Sequence, residues 1–234
     1  MQQLTLALSP PPPPTFENFF AARNAAALAA LQSLVSSVPA DPVVLLYGAA
    51  GSGRSHLLQA TVSAVRSAGL TAVWATPGGE DLAHASFDLR IDLIAADNVD
   101  AMNDTEQIQL FDAFNRQRAS GGRFLASAAA PAGRLAVRED LRSRLASGLA
   151  IELLPLSEEE RLAVLQGHAT DRAMQVATEV FDYIARRAPR DLGTQIAVLD
   201  ALDRISLEKH RPISIVLARE VLQQLGHHSP LRTD

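Results

Sequence analysis

The chain has no cysteine, which excludes a disulfide framework and a thiolate metal site, and its six histidines show no zinc-ligand spacing. No apolar run approaches the ~20 residues of a membrane-spanning helix. The residues before Pro10 also lack the basic stretch that opens a secretory leader. Membrane insertion and secretion are therefore not expected, and the protein reads as cytoplasmic. Positive charge is in deficit too: 21 Lys and Arg stand against 26 Asp and Glu, a net charge of −5. That balance speaks against a broad basic face for nucleic acid, although it leaves room for a local patch. There is no internal repeat and no low-complexity tract apart from one run of prolines. What is present is a chain of 234 residues, 47% hydrophobic, enough to bury one ordinary core plus a small appendage.

The most informative stretch runs from Val43 to Ala60 and reads VVLLYGAAGSGRSHLLQA. A β-branched apolar run stops at Gly48, and amphipathic helical periodicity takes over after Gly53, so the order is strand, glycine turn, helix. Gly48, Gly51 and Gly53, with Ser52 between them, fall where a backbone must wrap closely around a ligand. The turn brings its amides and the positive end of the following helix dipole to one point, which suits a phosphate. As a motif the stretch is G-x-x-x-x-G-K-[ST], with Arg54 in place of the lysine and Ser55 supplying the magnesium-facing hydroxyl. His56 is grouped with the same site. Arginine keeps the charge but is a planar fork, and it does not reproduce the approach of a lysine to a γ-phosphate. Nucleotide binding with impaired intrinsic hydrolysis is the expectation. The plain alternative is a glycine-rich turn that holds nothing.

In chain order, residues 1 to 14 divide into a peptide, MQQLTLALS, and five prolines, Pro10 to Pro14, that favour an extended spacer. Gln3, Leu4, Leu6 and Leu8 form a short extended segment with alternating apolar side chains, the layout of a peptide that docks in another protein's groove. A disordered terminus with incidental leucines is the competing description. Thr15-Phe16-Glu17-Asn18-Phe19-Phe20 opens the folded part, and an alanine-rich helix spans about Asn24 to Val38. Strands are expected at Val43–Tyr47, Thr71–Ala75, Asp92–Asp97, Arg123–Ser127 and Leu149–Leu153, with helices at about Thr105–Arg118 and Arg138–Leu145. Strands alternating with helices imply a parallel sheet covered on both faces, giving an αβα domain over residues 15–155. After Pro155, Ser157 and the acidic run Glu158-Glu159-Glu160 signal a helix start. Only helical periodicity follows, so residues 156–226 read as a small all-helical domain and 227–234 as a tail.

Asp97 stands at the carboxyl end of an apolar strand, the end at which parallel sheets bind ligands, and can hold a nucleotide-bound magnesium ion. Capping the next turn is the simpler role. Asn98 follows where many ATPases carry the acid that polarises water, and an amide cannot act as that base. Arg144, after Ser143, is either a solvated surface residue or a finger aimed at a neighbouring subunit's phosphates. Arg190 opens a helix after Pro189 and could reach bound phosphates, against the competing view that it is simply solvated at a helix start.

Together these residues resemble the AAA+ module of the DnaA-related family, and within it the regulatory-inactivator (Hda) branch, over nearly the whole chain. Thr15-Phe16-Glu17-Asn18-Phe19 is similar to the family's leading segment, YGAAGSGRSHLL to its phosphate loop, and Asp97-Asn98 to its magnesium-binding strand end. Leu110-Phe111 with Phe114-Asn115 is similar to the helix that follows. Ser143-Arg144-Leu145 resembles the arginine-finger box, Arg190-Asp191-Leu192 the second sensor, and QLTLAL at Gln3–Leu8 a sliding-clamp-binding peptide. Arg54 and Asn98 depart from DnaA but fit the inactivator branch. The chain also ends about ten residues past its last helical pattern, where DnaA carries a DNA-binding domain. Another departure is at the first sensor, Ala126-Ser127-Ala128-Ala129-Ala130-Pro131, with alanine where relatives commonly place an aspartate.

The resemblance implies a P-loop αβα sandwich followed by a helical lid, binding ADP or ATP with Mg. It implies the initiator DnaA and the DNA polymerase III sliding clamp (β subunit) as partners, with no sequence-specific DNA binding, and it leaves room for a homo-oligomer. The implied activity is an adaptor with little ATPase of its own, whose Arg144 acts in trans to make DnaA hydrolyse its ATP and so restrains replication initiation. A self-sufficient ATPase of helicase-loader type is the rival, and a binding module with a vestigial pocket is a third possibility.

Overall fold

The computed structural model describes residues 13–36, 41–79, 91–189 and 191–228. The peptide Gln3–Leu8 and Arg190 lie outside the described residues. The chain divides into two compact units, with the boundary between Pro155 and Leu156.

In the first unit, five strands pair in parallel: β1 (Val43–Gly48), β2 (Ala72–Ala75), β3 (Leu93–Ala96), β4 (Arg123–Ala128) and β5 (Leu149–Leu153), in the order β2-β3-β4-β1-β5. Val43 lies opposite Phe124 on one side of β1, and Val44 opposite Leu149 on the other. The central strands are apolar throughout because both their faces are covered, and side chains alternate between two cores. Val43, Leu45, Ile94 and Phe124 join one core with Leu110 and Phe114 of α3 (Asp104–Ala119) and Leu141 and Leu145 of α4 (Glu139–Ala146). Val44, Leu46, Leu93 and Leu125 join the other with Leu31 and Leu34 of α1 (Ala25–Val35) and Leu57, Leu58 and Val65 of α2 (Arg54–Ser67). Each such buried side chain contributes about 1.5–3 kcal/mol. This is the expected three-layer αβα sandwich.

The sequence-based boundaries differ at α1, which stops at Val35 rather than near Val38. Ser36 turns extended (φ −65°, ψ 164°), and its hydroxyl donates to the Ser33 carbonyl at 2.6 Å. Its amide also donates to the Ser33 carbonyl, and its own carbonyl accepts from Arg123 Nη2 at 2.7 Å, holding the chain where it leaves the helix. The start agrees, with Asn24 as the N-cap of α1; its side chain, instead of capping, donates to the Leu154 carbonyl and accepts from the Leu154 amide, both at 2.9 Å, tying the start of α1 to the end of β5.

The second unit is helical: α5 (Glu158–Asp171), α6 (Thr178–Arg187), α7 (Leu192–Lys209) and α8 (Ile215–His228). Ser157 and Glu160 start α5 with a capping box, in which Ser157 Oγ accepts from the Glu160 amide at 3.1 Å and Glu160 Oε2 accepts from the Ser157 amide at 2.7 Å. Leu165, Phe181, Ile184, Val198, Leu202 and Leu217 close its own core. The last helix continues to His228, two residues into the segment read as a tail. Among the described residues no helix is long and apolar enough to cross a membrane.

Candidate nucleotide site

The glycine loop after β1 is shaped by contacts that a side chain would obstruct. A Cβ at Gly48 would collide with the Leu153 carbonyl oxygen of β5, and one at Gly53 would lie 2.7 Å from Phe19 Cε2. Gly51 (φ +78°) and Gly53 (φ +93°) adopt the left-handed backbone that bends the loop onto α2. Gly53 provides no side-chain cap, so the first amides of α2 are left to an outside acceptor. Two further polar atoms here are buried without a hydrogen-bond partner: Ser52 Oγ and Arg54 Nη1. A buried guanidinium nitrogen without an acceptor is costly, and an anion bound at the loop would relieve that cost. Ser55 is half-buried in the first turn of α2.

His56 has a different place from the one its grouping with the loop implied. Its Nε2 donates to the Thr15 carbonyl at 3.0 Å, and its ring tilts against Phe19 with centroids 5.5 Å apart. Burial pushes the imidazole below its ordinary pKa, partly offset by that hydrogen bond. This nitrogen holds the leading segment, where Thr15 and Asn18 also bond reciprocally at 2.8 and 3.2 Å. It is not offered to the loop.

Asp97, just beyond β3, is 4% exposed and held by its neighbours. Its amide donates to the Ala75 carbonyl at 2.8 Å, and its Oδ1 accepts from the Ser127 hydroxyl of β4. The same Ser127 oxygen accepts from the Asn98 amide at 2.9 Å. Asn98 itself takes up a left-handed backbone (φ 50°) that turns the chain away from the sheet. Sequence reasoning missed Ser127 as a site residue. Its signal was a single hydroxyl in the otherwise apolar run Phe124 to Ala130, at a sheet position that is fully buried.

Among the described residues, no three His, Asp or Glu side chains gather into a metal cage. Magnesium on a nucleotide needs none, since one or two protein oxygens and the phosphates suffice. A buried carboxylate with no cation among the described residues fits that role.

Arg144 lies in the last turn of α4, exposed, with its guanidinium carbon 5.7 Å from the Phe111 ring centroid of α3. Leu141 and Leu145 anchor the helix in the core and leave Arg144 on the outside. Around Arg190 the expectation changes: α7 begins at Leu192, capped by Asp191 Oδ1 accepting from the Thr194 amide at 2.8 Å. The helix therefore opens after an acidic cap, as the dipole favours, and not at the arginine.

Residues 158–222 match the family described as Hda, lid domain. The fold is similar to domain III of the replication initiation protein DnaA from Thermotoga maritima, with 22% identity, TM-score 0.71, 92% of this chain and 98% of that one covered. It is also similar to AMPPCP-bound DnaA from Aquifex aeolicus, with 20% identity, TM-score 0.67, and 84% and 67% covered. A third match is a Thermotoga maritima RuvB mutant, with 18% identity, TM-score 0.63, and 92% and 73% covered. Residues 158–222 are thus similar to the Hda lid domain, and the chain shares its fold with these DnaA and RuvB structures. Because the strands run parallel, the loop after β1 and the carboxyl ends of β3 and β4 present their polar groups at one end of the sheet. Such an arrangement can bind an anion. The residue after Asp97 is an amide, Asn98, which cannot serve as a general base.

Proposed function

We propose that this protein is a regulatory adaptor that binds ADP, docks on the DNA-loaded sliding clamp, and stimulates hydrolysis of ATP held by DnaA, so that replication does not re-initiate. The phosphates are taken by the loop amides and by Arg54, with Ser55 and Asp97 as the oxygens toward magnesium and Arg190 as a further cation. Bound magnesium would neutralise phosphate charge. Gln3, Leu4, Leu6 and Leu8 are the clamp-binding peptide, a role its alternating leucines support.

The observation that carries this reading is Arg144. It is exposed, rests on an aromatic face, and makes no ion pair among the described residues. Such an arginine is free to meet another subunit's nucleotide. In phosphoryl transfer a guanidinium supplied in trans accelerates hydrolysis by ~10³–10⁵. Arg144→Ala is therefore expected to abolish stimulated phosphate release from ATP-loaded DnaA mixed with clamp-loaded DNA, while ADP binding and thermal stability stay unchanged. Lysine should rescue poorly, since it lacks the planar fork. Full stimulation by the alanine variant rejects the finger role, and loss of stimulation when the clamp is omitted supports the docking peptide. ATP turnover by the isolated protein near ~1 per second, within the ordinary enzyme range, would favour a self-sufficient ATPase instead.

A further inference from the structure

We infer that Ser127 is a positioning residue for the magnesium-facing carboxylate of Asp97, so that the chain's nucleotide affinity depends on Mg²⁺ through a hydroxyl on β4; the inference rests on the nucleotide-binding reading above. Ser127 is fully buried at the carboxyl end of a central strand, where a hydroxyl has no reason to be unless it is bonded on both sides. It is bonded on both sides. It donates to Asp97 Oδ1 and accepts from the Asn98 amide at 2.9 Å.

These two contacts fix different things. The bond to the Asn98 amide fixes where the backbone turns after β3, a turn that already carries the left-handed residue Asn98. The bond to Oδ1 fixes the rotation of the Asp97 carboxyl group, and it leaves Oδ2 as the oxygen without a recorded partner among the described residues. A carboxylate that is 4% exposed and has no cation beside it among the described residues is arranged for one that arrives with a ligand. An oxygen ligand must be pointed correctly for magnesium, which tolerates little departure from octahedral geometry. Groups that orient a metal ligand in this way typically change metal affinity by ~10–100-fold when removed. At the first sensor, where Ala128 and Ala129 offer no side-chain polar atom, the polar function of β4 is thus directed at the carboxylate and not at a phosphate.

The experiment titrates Mg²⁺ into the full chain with fluorescent N-methylanthraniloyl-ADP and compares wild type, Ser127→Ala, Ser127→Thr and Asp97→Asn, each also measured in EDTA and by thermal melting. Expected are a Mg²⁺ midpoint about tenfold higher or more for Ser127→Ala, an EDTA affinity equal to wild type, and a wild-type midpoint restored by Ser127→Thr. Asp97→Asn should move the midpoint at least as far. A Mg²⁺ midpoint unmoved by Ser127→Ala overturns the assignment, as does an equal loss of ADP affinity with and without Mg²⁺. Wild-type protein that binds no ADP under either condition overturns the nucleotide reading itself, a distinct result. The threonine variant keeps the comparison decisive if alanine lowers the melting temperature, because a hydroxyl-dependent midpoint is not moved by packing alone.

Discussion

At the amino ends of the strands, polar side chains are buried and answered from within the chain: Arg123 Nη2 donates to the Ser36 carbonyl, and Gln117 Nε2 to the carbonyls of Ile91 and Arg123 at 3.0 and 3.2 Å. Asp92 Oδ2 there accepts from the Thr71 amide at 2.9 Å. At the carboxyl ends, β1 leads into Ser52 Oγ and Arg54 Nη1, buried without partners among the described residues, and β3 into a carboxylate held by a serine hydroxyl. The same strands run through both ends, so the difference does not come from the sheet. One end is satisfied from within the chain, and the other holds polar atoms that an outside ligand would satisfy. Substitutions at the first end should therefore change stability, and those at the second should change binding.

The largest effect that tests this contrast is at Gln117. Gln117→Ala leaves two buried carbonyls without their donor and opens space beside Gly122, whose absent Cβ makes room for the glutamine amide. A loss of about 2–4 kcal/mol in unfolding free energy is expected, read from urea denaturation. ADP affinity should hold. A stability change below the usual scatter of surface substitutions would mean that the amino end is not the self-sufficient end.

Arg54 should show the opposite pattern. Arg54→Met keeps much of the stem and removes a buried nitrogen that has no acceptor, so stability should be unchanged or raised. ADP affinity should fall about 10–100-fold, the size of a charge-assisted hydrogen bond of ~1.5–3 kcal/mol. Both are measurable on one preparation, by denaturation and by titration of the fluorescent nucleotide. Destabilisation without loss of ADP affinity would mark Arg54 as a structural residue like Arg123.

A smaller effect is expected in the helical unit, where Gln195 is fully buried and both its amide atoms lack partners. If an unpartnered atom by itself marked a binding site, Gln195 would qualify as well as Arg54. Gln195→Leu should raise stability by about 1–2 kcal/mol by removing an unmet amide of similar volume. Unchanged ADP affinity would show that orphaned polar atoms mark a ligand only where a glycine loop and a helix start accompany them. Reduced affinity would extend the site into this unit.

Much of the frame was legible because its causes are local. Continuous apolar runs such as Leu93–Ala96 announce buried parallel strands, and Ser157 with Glu160 announces a helix start. The loop was legible from its glycines. What could not be read were bonds between residues far apart in the chain. Asn24 tied to Leu154, His56 tied to Thr15 and Ser127 tied to Asp97 each depend on which elements the fold makes adjacent. His56 is instructive, since its neighbours in sequence assign it to the phosphate loop while its neighbours in space assign it to the leading segment. Ser36, just past α1, is likewise held by Arg123, 87 residues away.

His56 also provides the finest test, since it lies at the carboxyl end of the sheet yet is already satisfied, and so should behave like the residues of the other end. Its folded-state pKa lies below the ordinary value of 6.5, with burial the main cause and the bond to Thr15 acting the other way. Below that ordinary value the unfolded chain binds a proton that the folded chain refuses, so the unfolded state binds more protons and stability rises with pH through this window. Acidification from 6.5 down to the folded-state value should therefore progressively remove stability, and below it the loss should level off. His56→Gln, which keeps a side-chain donor but cannot titrate, should lose that component. The measurement is the urea midpoint of both proteins at pH 7.5 and at pH 5, where the difference between the two pH values should be smaller for the glutamine variant. ADP affinity at pH 7.5 should be the same in both, because the nitrogen in question is engaged with Thr15. A pH response equal in the two proteins would remove His56 as the origin of the effect. A loss of ADP affinity on substitution would return the histidine to the nucleotide site and place the boundary between the self-sufficient and the ligand-completed groups elsewhere on the first turn of α2.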